Sequence, residues 1–158
     1  MKPQSADRRH FIIKASLAVP LLSKILFDMP VANAFSVSKF VVPENIHQQL
    51  MRIYGEQANN IVSTNKLKLI TPEIAENGAV VPISAEGEKG LFISLVVFVA
   101  KNPKPFTSKA TLHEGTDLPV SFRIKMAETS DVYLIAKTRD GLVGDKKTVK
   151  LTVGCGGC

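Results

Sequence analysis

Tryptophan is absent from the sequence, and only two of its 158 residues are cysteine, both within the last four. No disulfide can therefore cross-link the body of the chain, which must be held by packing and backbone hydrogen bonding. Aromatic residues make up only 6%, and the lysines alternate with apolar residues or stand in turns. There is no basic run with interleaved aromatics of the kind that tracks a phosphate backbone, which argues against a nucleic-acid partner. An HExxH pair, a GxSxG elbow, a P-loop and a glycine-rich dinucleotide turn are all missing, so the common zinc-protease, hydrolase and nucleotide-binding chemistries have no foothold. No uncharged apolar run reaches the roughly 18 residues that a membrane-spanning helix needs, and no stable membrane association is expected.

What is present has the composition of a globular protein: 45% apolar and 22% charged, too apolar for a disordered chain. Residues 8–14 read Arg8-Arg9-His10-Phe11-Ile12-Ile13-Lys14, followed by a moderately apolar stretch broken by Lys24 and Asp28 and closed by Ala32-Asn33-Ala34. Basic residues, a weakly apolar segment and an A-x-A site match a secretory leader cleaved after Ala34. Arg8 and Arg9, followed by an aromatic and an aliphatic pair, resemble the twin-arginine signal, which serves proteins exported already folded. The expectation is a signal at residues 1–34 and a periplasmic mature chain of one domain. The formal charge of +6 falls to +3 without the leader's five basic and two acidic residues, a mildly basic surface suited to small anions or an acidic partner.

Residues 43–60 carry Ile46, Leu50, Ile53 and Tyr54 on one helical face, behind a proline suited to a first turn. From Lys66 onward the period changes to two, with strands predicted at 66–71, 79–84, 90–100, 109–113, 119–128, 131–138 and 146–153. Turn-like clusters such as Glu76-Asn77-Gly78, Lys101-Asn102-Pro103 and Arg139-Asp140-Gly141 separate them. Residues 91–100 are almost wholly apolar and read as a strand buried on both faces. Phe122, Ile124 and Met126 alternate with polar residues, as do Val149, Leu151 and Val153, which places one face of each strand in a core. The pattern predicts a mainly β fold: an immunoglobulin-like antiparallel β-sandwich of about seven strands over 35–153, with a short N-terminal helix, though without the tryptophan and core cystine of a true immunoglobulin domain.

Few groups in the mature chain can attack or relay a proton near neutral pH: His47, His113, Cys155 and Cys158. Each histidine reads as a surface or structural residue, and Glu86 and Glu88 as parts of a solvated turn. The two cysteines lie in Val153-Gly154-Cys155-Gly156-Gly157-Cys158. Gly154, Gly156 and Gly157 make residues 154–158 read as a flexible arm. A thiol there suits delivery of a covalently held group to other proteins' active sites, whereas a catalytic residue needs rigid placement. Cys155 is the expected attachment point, because Cys158 carries the terminal carboxylate, which disfavours a thiolate, while Cys155 stands nearer Lys146, Lys147 and Lys150. Cys158, farther out, is the second candidate. The C-x-x-C spacing also leaves open a redox pair, and hence a small thiol–disulfide oxidoreductase, or half of a zinc site.

These residues resemble the SoxY family, the substrate-carrying subunits of SoxYZ complexes in thiosulfate oxidation. The likeness runs from the twin-arginine leader through Pro72-Glu73-Ile74-Ala75-Glu76-Asn77-Gly78-Ala79-Val80-Val81-Pro82, Lys101-Asn102-Pro103 and Phe122-Arg123-Ile124-Lys125-Met126-Ala127 to the tail. The family tail, Gly-Gly-Cys-Gly-Gly, places its sulfur-bearing cysteine at Cys155, with Val153 in place of the first glycine and Cys158 as an added thiol. The resemblance implies a non-enzymatic carrier without a cofactor, holding S-thiosulfonate and persulfide groups on cysteine. It implies a heterodimer with a SoxZ-like subunit, which lacks a leader and would be exported with its partner. Transient partners would be a haem-containing coupling enzyme, a sulfate-releasing hydrolase and other Sox enzymes. The apolar helix face and residues 91–100 are the expected SoxZ contact.

Overall fold

The computed structural model describes residues 38–113, 116 and 118–156; the expected signal at residues 1–34, Gly157 and Cys158 lie outside these residues. Helix α1 runs from Glu44 to Tyr54 behind Pro43, with Glu44 in its first turn and Arg52 in its last, both complementing the helix dipole. It is shorter than the 43–60 predicted because Gly55, at φ 60°, breaks the α-helical backbone. The chain continues in a tighter 3-10 turn over Gly55–Asn59.

Among the described residues nine strands follow: β1 (Ile61–Ser63), β2 (Leu67–Ile70), β3 (Ile74–Asn77), β4 (Val81–Gly87), β5 (Ser94–Val99), β6 (Phe106–Thr111), β7 (Val120–Ile124), β8 (Ser130–Lys137) and β9 (Leu142–Val153). They form two sheets. One has the order β1-β9-β8-β5-β6, with β3 also paired to β9; the other is β2-β4-β7. The sandwich is the one expected, with two added strands. Most pairs are antiparallel, but β1 and β3 lie parallel to β9, at opposite ends of this twelve-residue strand.

Two apolar clusters explain why β5 reads as an unbroken apolar run. Leu95, Val97 and Val99 point between the sheets, against Leu69, Val81, Ile83, Ile124, Val132 and Leu134. Val96 and Phe98 point outward, yet they are covered by Ile46 and Leu50 of α1, together with Tyr133 and Ile135. All six residues of β5 are buried. At about 1.5–3 kcal/mol for each large side chain removed from water, the helix side of the sheet is a second core. The surface expected to meet a second subunit is therefore largely consumed inside the chain: Ile46, Leu50, Val96 and Phe98 are each 0% exposed.

Candidate functional site at the end of the last strand

Strand β9 carries the chain to the cysteine tail. Its early part is flanked by β8 on one edge and β1 on the other. Beyond Val149 it runs along β3, with Lys150, Leu151 and Val153 opposite Ile74, Ala75 and Asn77. On the other edge, Leu151 N–H donates to the Thr129 hydroxyl at 2.9 Å. Val149 is buried and Leu151 half-buried, as the alternation requires, whereas Val153 is 61% exposed because the strand has by then left the space between the sheets.

The tail leaves β9 through a junction of three chain segments. Gly78 N–H donates to Val153 O at 2.8 Å, Met126 N–H to Gly78 O at 2.8 Å, and Cys155 N–H to Met126 O at 3.0 Å. These bonds form a relay from Cys155 through Met126 and Gly78 back to Val153. Gly78 is buried there, and a Cβ on it would lie under 3.0 Å from both Met126 O and Cys155 N. A Cβ on Gly154 would likewise collide with the carbonyl oxygen of Ala127, a backbone atom that cannot swing aside. Around Gly156, in contrast, a Cβ meets nothing within 4 Å. Asn102 braces the receiving segment: its side-chain N–H donates to Lys125 O at 2.8 Å and its carbonyl accepts from Ala127 N–H at 2.9 Å. Sequence reasoning singled out Asn102, Met126 and Gly78 as motif or turn residues without seeing that they meet at the tail.

Cys155 itself is half-buried and disulfide-bonded. The sequence holds one other cysteine, Cys158, which lies outside the described residues. The lysines expected beside Cys155 lie along β9. Lys146 faces Asp131 at 3.9 Å, and Lys147 and Lys150 line a cleft of about 470 Å³ with Lys68 and Glu73.

The remaining candidates are scattered. His47 sits on α1 with its ring nitrogen 3.1 Å from the Asn59 carboxamide oxygen, and His113 is exposed after β6. Glu88 pairs with Lys66 at 3.0 Å, and Glu86 lies across from Lys68 in the β2–β4 ladder. Among the described residues no group of three or more His, Cys, Asp or Glu side chains could hold a metal ion.

Comparison with known proteins bears on this arrangement. No curated protein matches the chain in sequence. A solved structure, that of the sulfur carrier protein SoxY from Chlorobium limicola f thiosulfatophilum, superposes with a TM-score of 0.60 at 23% identity, covering 69% of this chain and 97% of that one; it shares the fold. The model of the sulfur oxidation protein SoxY family matches residues 50–158, a span that includes the Gly78 junction, the Asn102 brace and both cysteines. The chain belongs to the SoxY family of sulfur oxidation proteins.

Proposed function

We infer that this protein carries sulfur intermediates as covalent adducts of Cys155 while partner enzymes act on them, and is not itself a catalyst. The observation that carries the reading is the position of that sulfur: it stands just beyond the last strand of a sandwich that, among the described residues, gathers no group of three or more His, Cys, Asp or Glu side chains able to hold a metal ion. In the cycle that family membership suggests, a haem enzyme couples the Cys155 thiol to thiosulfate. The S–H and one free sulfane terminus become Cys-S-S-sulfonate, one proton is released and two electrons leave one at a time through the haem enzyme. A hydrolase then adds water, releasing sulfate and two protons and leaving the Cys155 persulfide anion. The carrier contributes the sulfur and a surface, and needs no metal or organic cofactor for this. Its place is the periplasm, reached by the twin-arginine route through Arg8 and Arg9 together with a SoxZ-like subunit.

The disulfide at Cys155 favours one other reading, a small thiol–disulfide oxidoreductase that works through Cys155 and Cys158. Under the carrier reading the disulfide is a resting form, which a dithiol must reduce before loading. Intact-mass analysis after incubation with thiosulfate and the coupling enzyme separates the two. The carrier reading expects sulfane or sulfonate mass on the peptide that trypsin releases after Lys150, retained in Cys158→Ser and lost in Cys155→Ser. Disulfide-reductase turnover that requires both cysteines, with no sulfur adduct on either single variant, would establish the rival.

A further inference from the structure

The geometry points to Gly78 and Gly154 as positioning residues that anchor the Cys155 backbone on a shelf formed by Met126 and Ala127, so that the carrier thiol is offered from a fixed point of the sandwich. The inference rests on the carrier reading for its purpose, but its geometry is independent of it. A glycine-rich tail invites the view that every glycine supplies freedom. The packing divides them. Gly154 has the Ala127 carbonyl in the space a side chain would fill, while Gly156 has open space. Gly78 lies under both Met126 O and Cys155 N, where any Cβ would part the tail from its shelf.

The hydrogen bonds agree with this division. Cys155 N–H is bound to Met126 O at 3.0 Å, and the Met126 amide is bound in turn to Gly78 O at 2.8 Å. Asn102 holds the residues on either side of Met126 through Lys125 O and Ala127 N. The anchored backbone thus includes the amide of the sulfur-bearing residue. An enzyme that acts on the thiol meets the 77–79 turn and residues 126–127 along with it.

The test compares Gly154→Ala with Gly156→Ala, each with Cys158→Ser so that Cys155 is a single reduced thiol. Amide hydrogen exchange at Cys155 and the rate of thiol alkylation are measured, with urea midpoints as a control for folding. Gly154→Ala is expected to speed both Cys155 exchange and alkylation by about fivefold or more, the equilibrium worth of one backbone hydrogen bond, with the urea midpoint lowered by no more than that one bond. Gly156→Ala should match the parent. Asn102→Ala, which loosens the shelf without altering the tail, should raise Cys155 exchange in the same direction and by more than its lower urea midpoint accounts for. Equal behaviour of the two glycine variants would overturn the anchor. Neither readout requires sulfur to be loaded, so an anchor found without any adduct would count against the carrier reading alone.

Discussion

The side-chain oxygen of Asn102 accepts a hydrogen bond from the amide of Ala127, 25 residues further along the chain, at 2.9 Å. With its second bond to Lys125 O, one carboxamide takes the place of a neighbouring strand where β7 has ended and β8 has not begun. Asn102→Ala leaves a donor and an acceptor without these partners and is expected to cost about 1–3 kcal/mol, read as a lower urea midpoint. Asn102→Asp keeps the acceptor for Ala127 but sets a carboxylate against Lys125 O, and should recover only part of the loss.

Phe98 and Phe106 form an edge-to-face pair with centroids 5.9 Å apart, yet their exposure differs: Phe98 is 0% exposed and Phe106 42%. Phe98→Ala opens a cavity under α1 and is expected to cost about 3–5 kcal/mol. Phe106→Ala loses part of one ring contact, about 0.5–1.5 kcal/mol. Equilibrium denaturation of the two variants should rank them in that order.

Gly55 ends α1 at φ 60°, and a Cβ placed there would meet nothing within 4 Å. Gly55→Ala therefore tests backbone strain without a clash, and a loss of about 1–3 kcal/mol is expected because φ 60° with ψ −143° is a conformation essentially reserved to glycine. Gly55→Asn should lose a similar amount in the same denaturation assay, because asparagine's tolerance of positive φ is confined to the left-handed helical region.

The chain's two tyrosines both ionise above the usual 10.0. Tyr54 is raised by burial, partly offset by its hydrogen bond to the Ser94 hydroxyl, and Tyr133 by burial and then by the negative charge of Asp131. A group whose folded pKa is raised keeps its proton in the native state after the unfolded chain has lost it. Its stabilising contribution is complete below pH 10.0 and declines as pH climbs through the folded value. Stability should hold on approaching pH 10 and then decline, and Tyr54→Phe should flatten that decline. Urea midpoints across the alkaline range, set beside the phenolate absorbance, check this.

The parts of the fold legible in the sequence are those where one local pattern meets one environment. The apolar run that becomes β5 implied burial on both faces, and the alternation through Phe122, Ile124 and Met126 implied one inward face; both hold. β3 was not legible, because four residues ending in Glu76-Asn77 look like the turn that in fact begins at Gly78. The first part of β9 was missed for a similar reason, since Gly144 and Asp145 mimic a turn although they continue the strand. Gly144 instead lies against the Phe40 ring, and the Asp145 carboxylate accepts from Leu69 N–H at 2.7 Å. At the tail, composition singled out Cys155 as a candidate but could not separate a glycine needed for freedom from one needed for close approach. That difference depends on Gly78, Met126 and Ala127, residues remote in sequence.

Because β9 is bonded to β1, β3 and β8 and continues directly into the cysteine segment, a pull on that segment runs along the strand. Cross-strand hydrogen bonds lie across the pull, so the ladders resist it together in shear and do not open one rung at a time. A partner that draws on the cysteine segment therefore loads three neighbouring strands at once.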